Sequence, residues 1–186
     1  MTHADVESIE RATLAAVAPS MIEEIEGWLL PFDRGVVGRA KSAVPLRHDH
    51  SARAPIAEIE SRYAAKDLPA LFRIAQVAGL DAIRAELARL GYRNSKPTLV
   101  QVADAHAAAN AFSGSPAEVA SFADDEWASV FLGEGSDAVE GASRVQTLRR
   151  SQGSLFARVR ARDGKTSAAS CNQTVRIWDA RLRNEN

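Results

Sequence analysis

Several groups of side chains in this chain are of types that do chemistry. His48-Asp49-His50 sets two imidazoles around a carboxylate, donors that suit zinc or nickel. At i, i+2 in a loop they need distant ligands, and no third partner is indicated, so a solvated loop is the plainer reading and no metal is expected. His3 belongs to a frayed terminus, and His106 stands alone in an Ala-rich stretch. Cys171 acts as a nucleophile only with a depressed pKa and a nearby base. No histidine can be paired with it, which leaves an inert thiol. Asp124-Asp125-Glu126-Trp127 puts three carboxylates beside an indole. The ordinary reading is acidic residues at the start of a helix, where they meet the dipole, with Trp127 packed inward. Arg144, Arg149, Arg150, Arg158, Arg160 and Arg162 would attract anions. Few aromatics interleave with them to stack on bases, so a solvated face is expected and nucleic acid is not.

The chain around these groups has 186 residues, of which 46% are apolar and 25% charged, which excludes a disordered or collagen-like polymer. Lys and Arg total 23 against 24 Asp and Glu, so no net basicity advertises a nucleic acid or membrane partner. The single cysteine excludes a disulfide framework and a multi-cysteine zinc site. The amino end lacks a basic region leading into an apolar core, and no apolar run approaches the ~18 residues of a spanning helix. A cytoplasmic location is expected.

The elements follow from spacing. Val6, Ile9, Ala12, Thr13, Ala16 and Val17 recur at helical intervals, and Met21, Ile22 and Ile25 suggest a short second helix capped by Ser20. Trp28 to Leu30 predicts a strand ending at Pro31, and Asp33-Arg34-Gly35 a turn into an extended Val36–Val44 segment, a candidate hairpin. Pro55 opens a helix whose buried stripe is Ile56, Ile59, Tyr63 and Ala64. Leu71 to Ile74 predicts a strand, Leu80 to Leu90 an amphipathic helix ended by Gly91, and Thr98 to Val102 another strand. Residues 104–115 have the composition of a linker. Helices are predicted over Pro116–Phe131 and Ser136–Arg150. Leu155–Ala161 then alternates, turns at Asp163-Gly164 and returns over Thr166–Ser170, with a last strand at Thr174–Trp178. Ser170 to Asp179 is locally similar to the end of a WD-repeat blade, but a propeller needs several copies and an upstream Gly-His, and neither is present. The class is mixed α/β (α+β).

The run Gly27-Trp28-Leu29-Leu30 followed by Arg39-Ala40-Lys41-Ser42-Ala43-Val44-Pro45-Leu46 resembles a segment of two-half bacterial acetyltransferases of the GNAT superfamily. The similarity continues through Ile59-Glu60-Ser61-Arg62-Tyr63, Leu68 to Arg73, Gly79-Leu80-Asp81, Leu90-Gly91-Tyr92 and Pro97 to Val100. The Phe156–Ala169 hairpin is similar to the first antiparallel pair of the catalytic half. Shared order and spacing carry the resemblance, since no single element is specific. Lys41 departs from the Asn that is common there. The resemblance implies an amino-terminal half over 1–103, a linker over 104–115 and the start of a second half over 116–186. It also implies acetyl-CoA as acetyl donor and a small-molecule amine as acceptor. The region before the hairpin helps line the acceptor pocket in that family, which makes Trp127 a candidate substrate-binding residue.

The pyrophosphate of acetyl-CoA is usually cradled by backbone N–H groups at a glycine-containing turn that opens a helix. The family's Gln/Arg-x-x-Gly-x-Gly/Ala signature does not follow the hairpin, so an incomplete second half is expected. Gln76 to Asp81 is the nearest approach, but it ends in an acidic residue. Arg150 to Leu155 runs into a strand, Gly133 to Asp137 is acidic, and Gly35 to Ala40 lacks the leading Gln or Arg. No cofactor-binding residue is assigned, and none is assigned as the base or as the group that polarises the thioester. Two functions compete: an N-acetyltransferase that uses acetyl-CoA, and a non-catalytic fragment or pseudoenzyme acting as an interaction module. An uncovered sheet edge would favour a homodimer.

Overall fold

The computed structural model describes residues 3–51, 54–99, 104, 106–107, 110, 117–132, 137–160 and 166–172. It is a mixed α/β structure with two three-stranded antiparallel sheets. Helix α1 (His3–Val17) leads into β1 (Met21–Ile25), β2 (Trp28–Phe32) and β3 (Val44–Pro45), paired in that order. The Met21–Ile25 segment is thus a strand and not a short helix. Its apolar spacing fits either period, and the deciding feature is Glu26-Gly27, both at positive φ, which closes a tight hairpin between Ile25 and Trp28. The expected hairpin partner of β2 over Val36–Val44 shrinks to Val44–Pro45, because Gly38–Ala40 winds into a 3-10 turn.

β2 is buried along its whole length because it works on two faces. Trp28, Leu30 and Phe32 pack with Ile56, Ile59 and Tyr63 of α2 (Ile56–Ala64) and Ile83 and Leu87 of α3 (Asp81–Arg89). Leu29 packs on the other side with Leu14 and Val17 of α1 and Val44 of β3. A strand covered on both faces needs no polar alternation. Pro31 lies inside it, opposite Ile22, and its carbonyl accepts the Tyr63 hydroxyl at 2.8 Å. Phe72 makes edge contacts with Trp28 and Tyr92, at 6.1 and 5.1 Å between centroids. The predicted Leu71–Ile74 strand is only a bridge, Phe72 to Ala43. Gly91, at φ +90°, ends the α3 segment as expected. Thr98 and Leu99 are not in a strand, and Val100 to Val102 lie outside the described residues. In the expected linker, the described His106, Ala107 and Asn110 are helical.

The second sheet has the order β4 (Glu118–Ala120), β5 (Leu155–Arg160), β6 (Thr166–Asn172). The hairpin of β5 and β6 matches its sequence pattern, while the expected Thr174–Trp178 strand lies outside the described residues. Helices α4 (Asp125–Leu132) and α5 (Ala138–Arg149) precede it. The single helix expected over Pro116–Phe131 is a strand, a turn and then α4. Its first residues form β4 because Glu118 and Ala120 sit opposite Arg158 and Phe156 on β5. Ala123, Trp127, Ala128, Val145 and Phe156 make the apolar core of this part. Among the described residues no helix is long and apolar enough to cross a membrane.

Candidate functional site

The second sheet and α4 enclose a cleft of about 170 Å³, below the ~300 Å³ at which pockets begin to hold whole small molecules. It has room for a side-chain-sized group. Its lining includes Glu118, Phe122, Asp124, Trp127, Phe156 and Arg158. Trp127 is 2% exposed and forms the floor. Its indole N–H donates to the Ala157 carbonyl at 3.2 Å, and its ring meets Phe156 edge-on at 5.1 Å. Phe122, 65% exposed, supplies an open apolar wall. Asp124 caps α4 by accepting from the Trp127 backbone N–H at 2.7 Å, which fixes the indole where the helix begins.

Arg158 reaches Glu118 at 2.8 Å, Asp124 at 2.8 Å and Glu126 at 3.2 Å. Hydrogen bonding to Glu118 first, and then to Asp124, raises its pKa further, so it stays a cation. Three carboxylates thus gather around one guanidinium, and two of them, Glu118 and Asp124, line the cleft. Sequence reasoning singled out Trp127, the acidic run and Arg158 separately, and it missed Glu118 and Phe122. The alternation of β5 could have paired Glu118 with Arg158, but a three-residue strand is too short to be visible as a pattern.

Three other arginines of the expected basic cluster are also engaged, and Arg162 lies outside the described residues. Arg149 binds Asp125 and the Ala123 carbonyl, Arg150 binds Asp33, and Arg144 lies 3.5 Å from Glu140. The side chains of Arg160 and Cys171 lie outside what is described. In the His48 to His50 loop the Asp49 carboxylate accepts from Ser51 and Arg47, which holds it well below the usual carboxylate range. Among the described residues, no three His, Cys, Asp or Glu side chains gather as a metal set would.

A diphosphate carrier does not fit the described turns. At Gln76 to Asp81 the backbone of the His48–Asp49 loop lies on Gly79, where an added Cβ would meet the His48 carbonyl and come within 2.6 Å of Asp49 Cα. Arg84 occupies the same turn, donating to the Ala75 and Val77 carbonyls at 2.8 and 3.0 Å and pairing with Asp81. At Arg150 to Leu155 the turn carries Gly153 at φ +69° and feeds β5, with Ser151 and Ser154 bonded to each other. Of the Gly133 to Asp137 segment only Asp137 is among the described residues, and its carboxylate caps α5 by accepting from the Glu140 N–H at 2.8 Å. Gly35 is closed in by Asp33 and Ser143.

The model of a family described as "Probable histone acetyltransferase Rv0428c C-terminal" matches residues 3–180. The chain belongs to that family. The match spans both sheets and the cleft, so the acetyltransferase relationship covers every element described above. No curated protein and no solved structure matches the chain significantly.

Proposed function

We propose that this chain carries the acceptor side of a GNAT-type N-acetyltransferase and receives a primary amine, as its ammonium ion, in the cleft between β4, β5 and α4. One observation supports this reading above the rest: the carboxylates of Glu118 and Asp124 line the cleft beside the apolar wall of Phe122 and Val119. The carboxylates attract a cation, and Phe122 and Val119 offer contact to the methylenes behind it. A lysine side chain has both features and the right size. The matching family is described as a probable histone acetyltransferase. For this chain a lysine-bearing acceptor follows from the cleft's size, its carboxylates and its apolar wall.

Acetyl-CoA is the donor this reading implies, but the described turns do not fit its pyrophosphate, and no transfer step is assigned to their residues. The occupied turn at Gly79 also favours a second reading, in which the chain binds the amine without acetylating it. Calorimetry with Nα-acetyl-lysine methylamide tests the acceptor site. Binding that weakens with added salt and disappears in the Glu118→Gln/Glu126→Gln variant is expected. Binding that the variant leaves intact would place the amine elsewhere. Release of free CoA from acetyl-CoA in the presence of that amine separates the enzyme from the non-catalytic module.

A further inference from the structure

Asp33 follows β2 and is 4% exposed, yet it belongs to no apolar core. Its Oδ1 accepts from the Gly35 N–H at 2.7 Å. Its Oδ2 accepts from the Ser20 N–H at 3.2 Å, the Ser20 hydroxyl at 3.0 Å and Arg150 Nη2 at 2.7 Å. Arg150 comes from the end of α5, in the part of the chain that carries the cleft. Its Nε also donates to the Ala18 carbonyl at 3.3 Å, where α1 ends. Beside this pair, the Val36 N–H donates to Ser143 Oγ of α5 at 3.2 Å. The two sides approach closely enough that a Cβ on Gly35 would lie 3.0 Å from that same oxygen.

The apolar contacts divide differently. Among the described residues, two clusters of buried apolar side chains draw on residues up to Tyr92, and a third on residues from Ala123 onward. Among the described residues no such cluster crosses the seam that Asp33 and Arg150 span. Polar contacts exchange for water at small net cost, whereas a packed core resists deformation. A seam of this kind is where two folded parts move relative to each other.

We propose that Asp33 and Arg150 form a latch across this seam, and that releasing it lets the cleft-bearing part swing against the amino-terminal sheet while both cores stay folded. The latch sets how the cleft-bearing part is oriented against the amino-terminal sheet. It does not depend on the amine reading, because every group in it lies outside the cleft.

The test is hydrogen exchange on the full chain carrying Arg150→Gln, with small-angle scattering alongside. Exchange at the Ser20, Gly35 and Val36 amides should quicken about tenfold or more, the scale expected when a charge-assisted bond is lost. Amides in α2, α3 and β5 should keep their protection, and the radius of gyration should rise. Arg150→Lys, which keeps a cation within reach of Asp33, should restore most of the protection. Ser143→Ala leaves Asp33 paired and should quicken Val36 alone. Unchanged exchange at the seam would overturn the latch. So would an increase spread equally through α2 and β5, since that would mean one cooperative unit.

Discussion

Trp127 does two jobs, and they separate by substitution. Its ring is core, packed on Phe156 and bonded to Ala157, while its edge forms the floor of the cleft. Trp127→Ala should cost about 3–5 kcal/mol in denaturant unfolding, the range for deleting a buried aromatic. A loss under about 1 kcal/mol would mean that the ring is not packed as described. Gly79→Ala is a sharper case, because the side chain would enter the backbone of the His48–Asp49 loop, which has no flexible end to move aside. It should lower stability by about 1–3 kcal/mol. A neutral result in thermal melts would show that the loop does not cover this turn. The sequence placed Asp81 in the first turn of a helix correctly, but nothing in Gln76 to Asp81 announced a loop lying on top of it. That contact comes from residues about thirty positions away.

Between elements, the aromatic contacts of α2 and of Tyr92, just past α3, carry a pH signature. Burial pushes the Tyr63 phenol well above its ordinary value near 10. Tyr92 is pushed up to about 12, by burial first and then by its bond to Glu60. Both shifts favour the neutral phenol in the folded state. Their contribution to stability is therefore complete below pH about 10 and lost as pH climbs through the folded values. These are the chain's only tyrosines, so absorbance at 295 nm reports on them alone. Tyrosinate should appear late, together with unfolding, and an ordinary titration centred near pH 10 would contradict this packing.

The α2 helix was legible because Pro55 starts it and Ile56, Ile59 and Tyr63 repeat on one face, although Ala64 at its end is exposed. The hairpin of β5 and β6 was legible from its alternation. β1 was not, because Met21, Ile22 and Ile25 suit a helix as well as a strand, and Glu26-Gly27 is a less familiar turn than Asn-Gly. β4 was not, because pairing with β5 defines its three residues and their own pattern does not.

Across the whole molecule, both sheets lie within one acetyltransferase-related family match, while the buried apolar clusters stay on their own sides of a polar seam. The cleft sits entirely on one side. Its charge was only half legible: the run at Asp124 to Glu126 stood out, but its arrangement around Arg158 depends on where a distant strand pairs. At Gly79 the same kind of long-range contact governs access to the turn, since the glycine was visible in the sequence and the loop that covers it was not. One titration weighs the central claim most directly. Amide NMR spectra of the full chain are followed while Nα-acetyl-lysine methylamide, and separately acetyl-CoA, is added. The amine should shift the Trp127 indole N–H and the amides of Val119 and Ala157, while acetyl-CoA should leave Val77 to Asp81 unmoved. An amine that shifts none of the cleft signals, or acetyl-CoA that moves the Gly79 turn, would contradict the account.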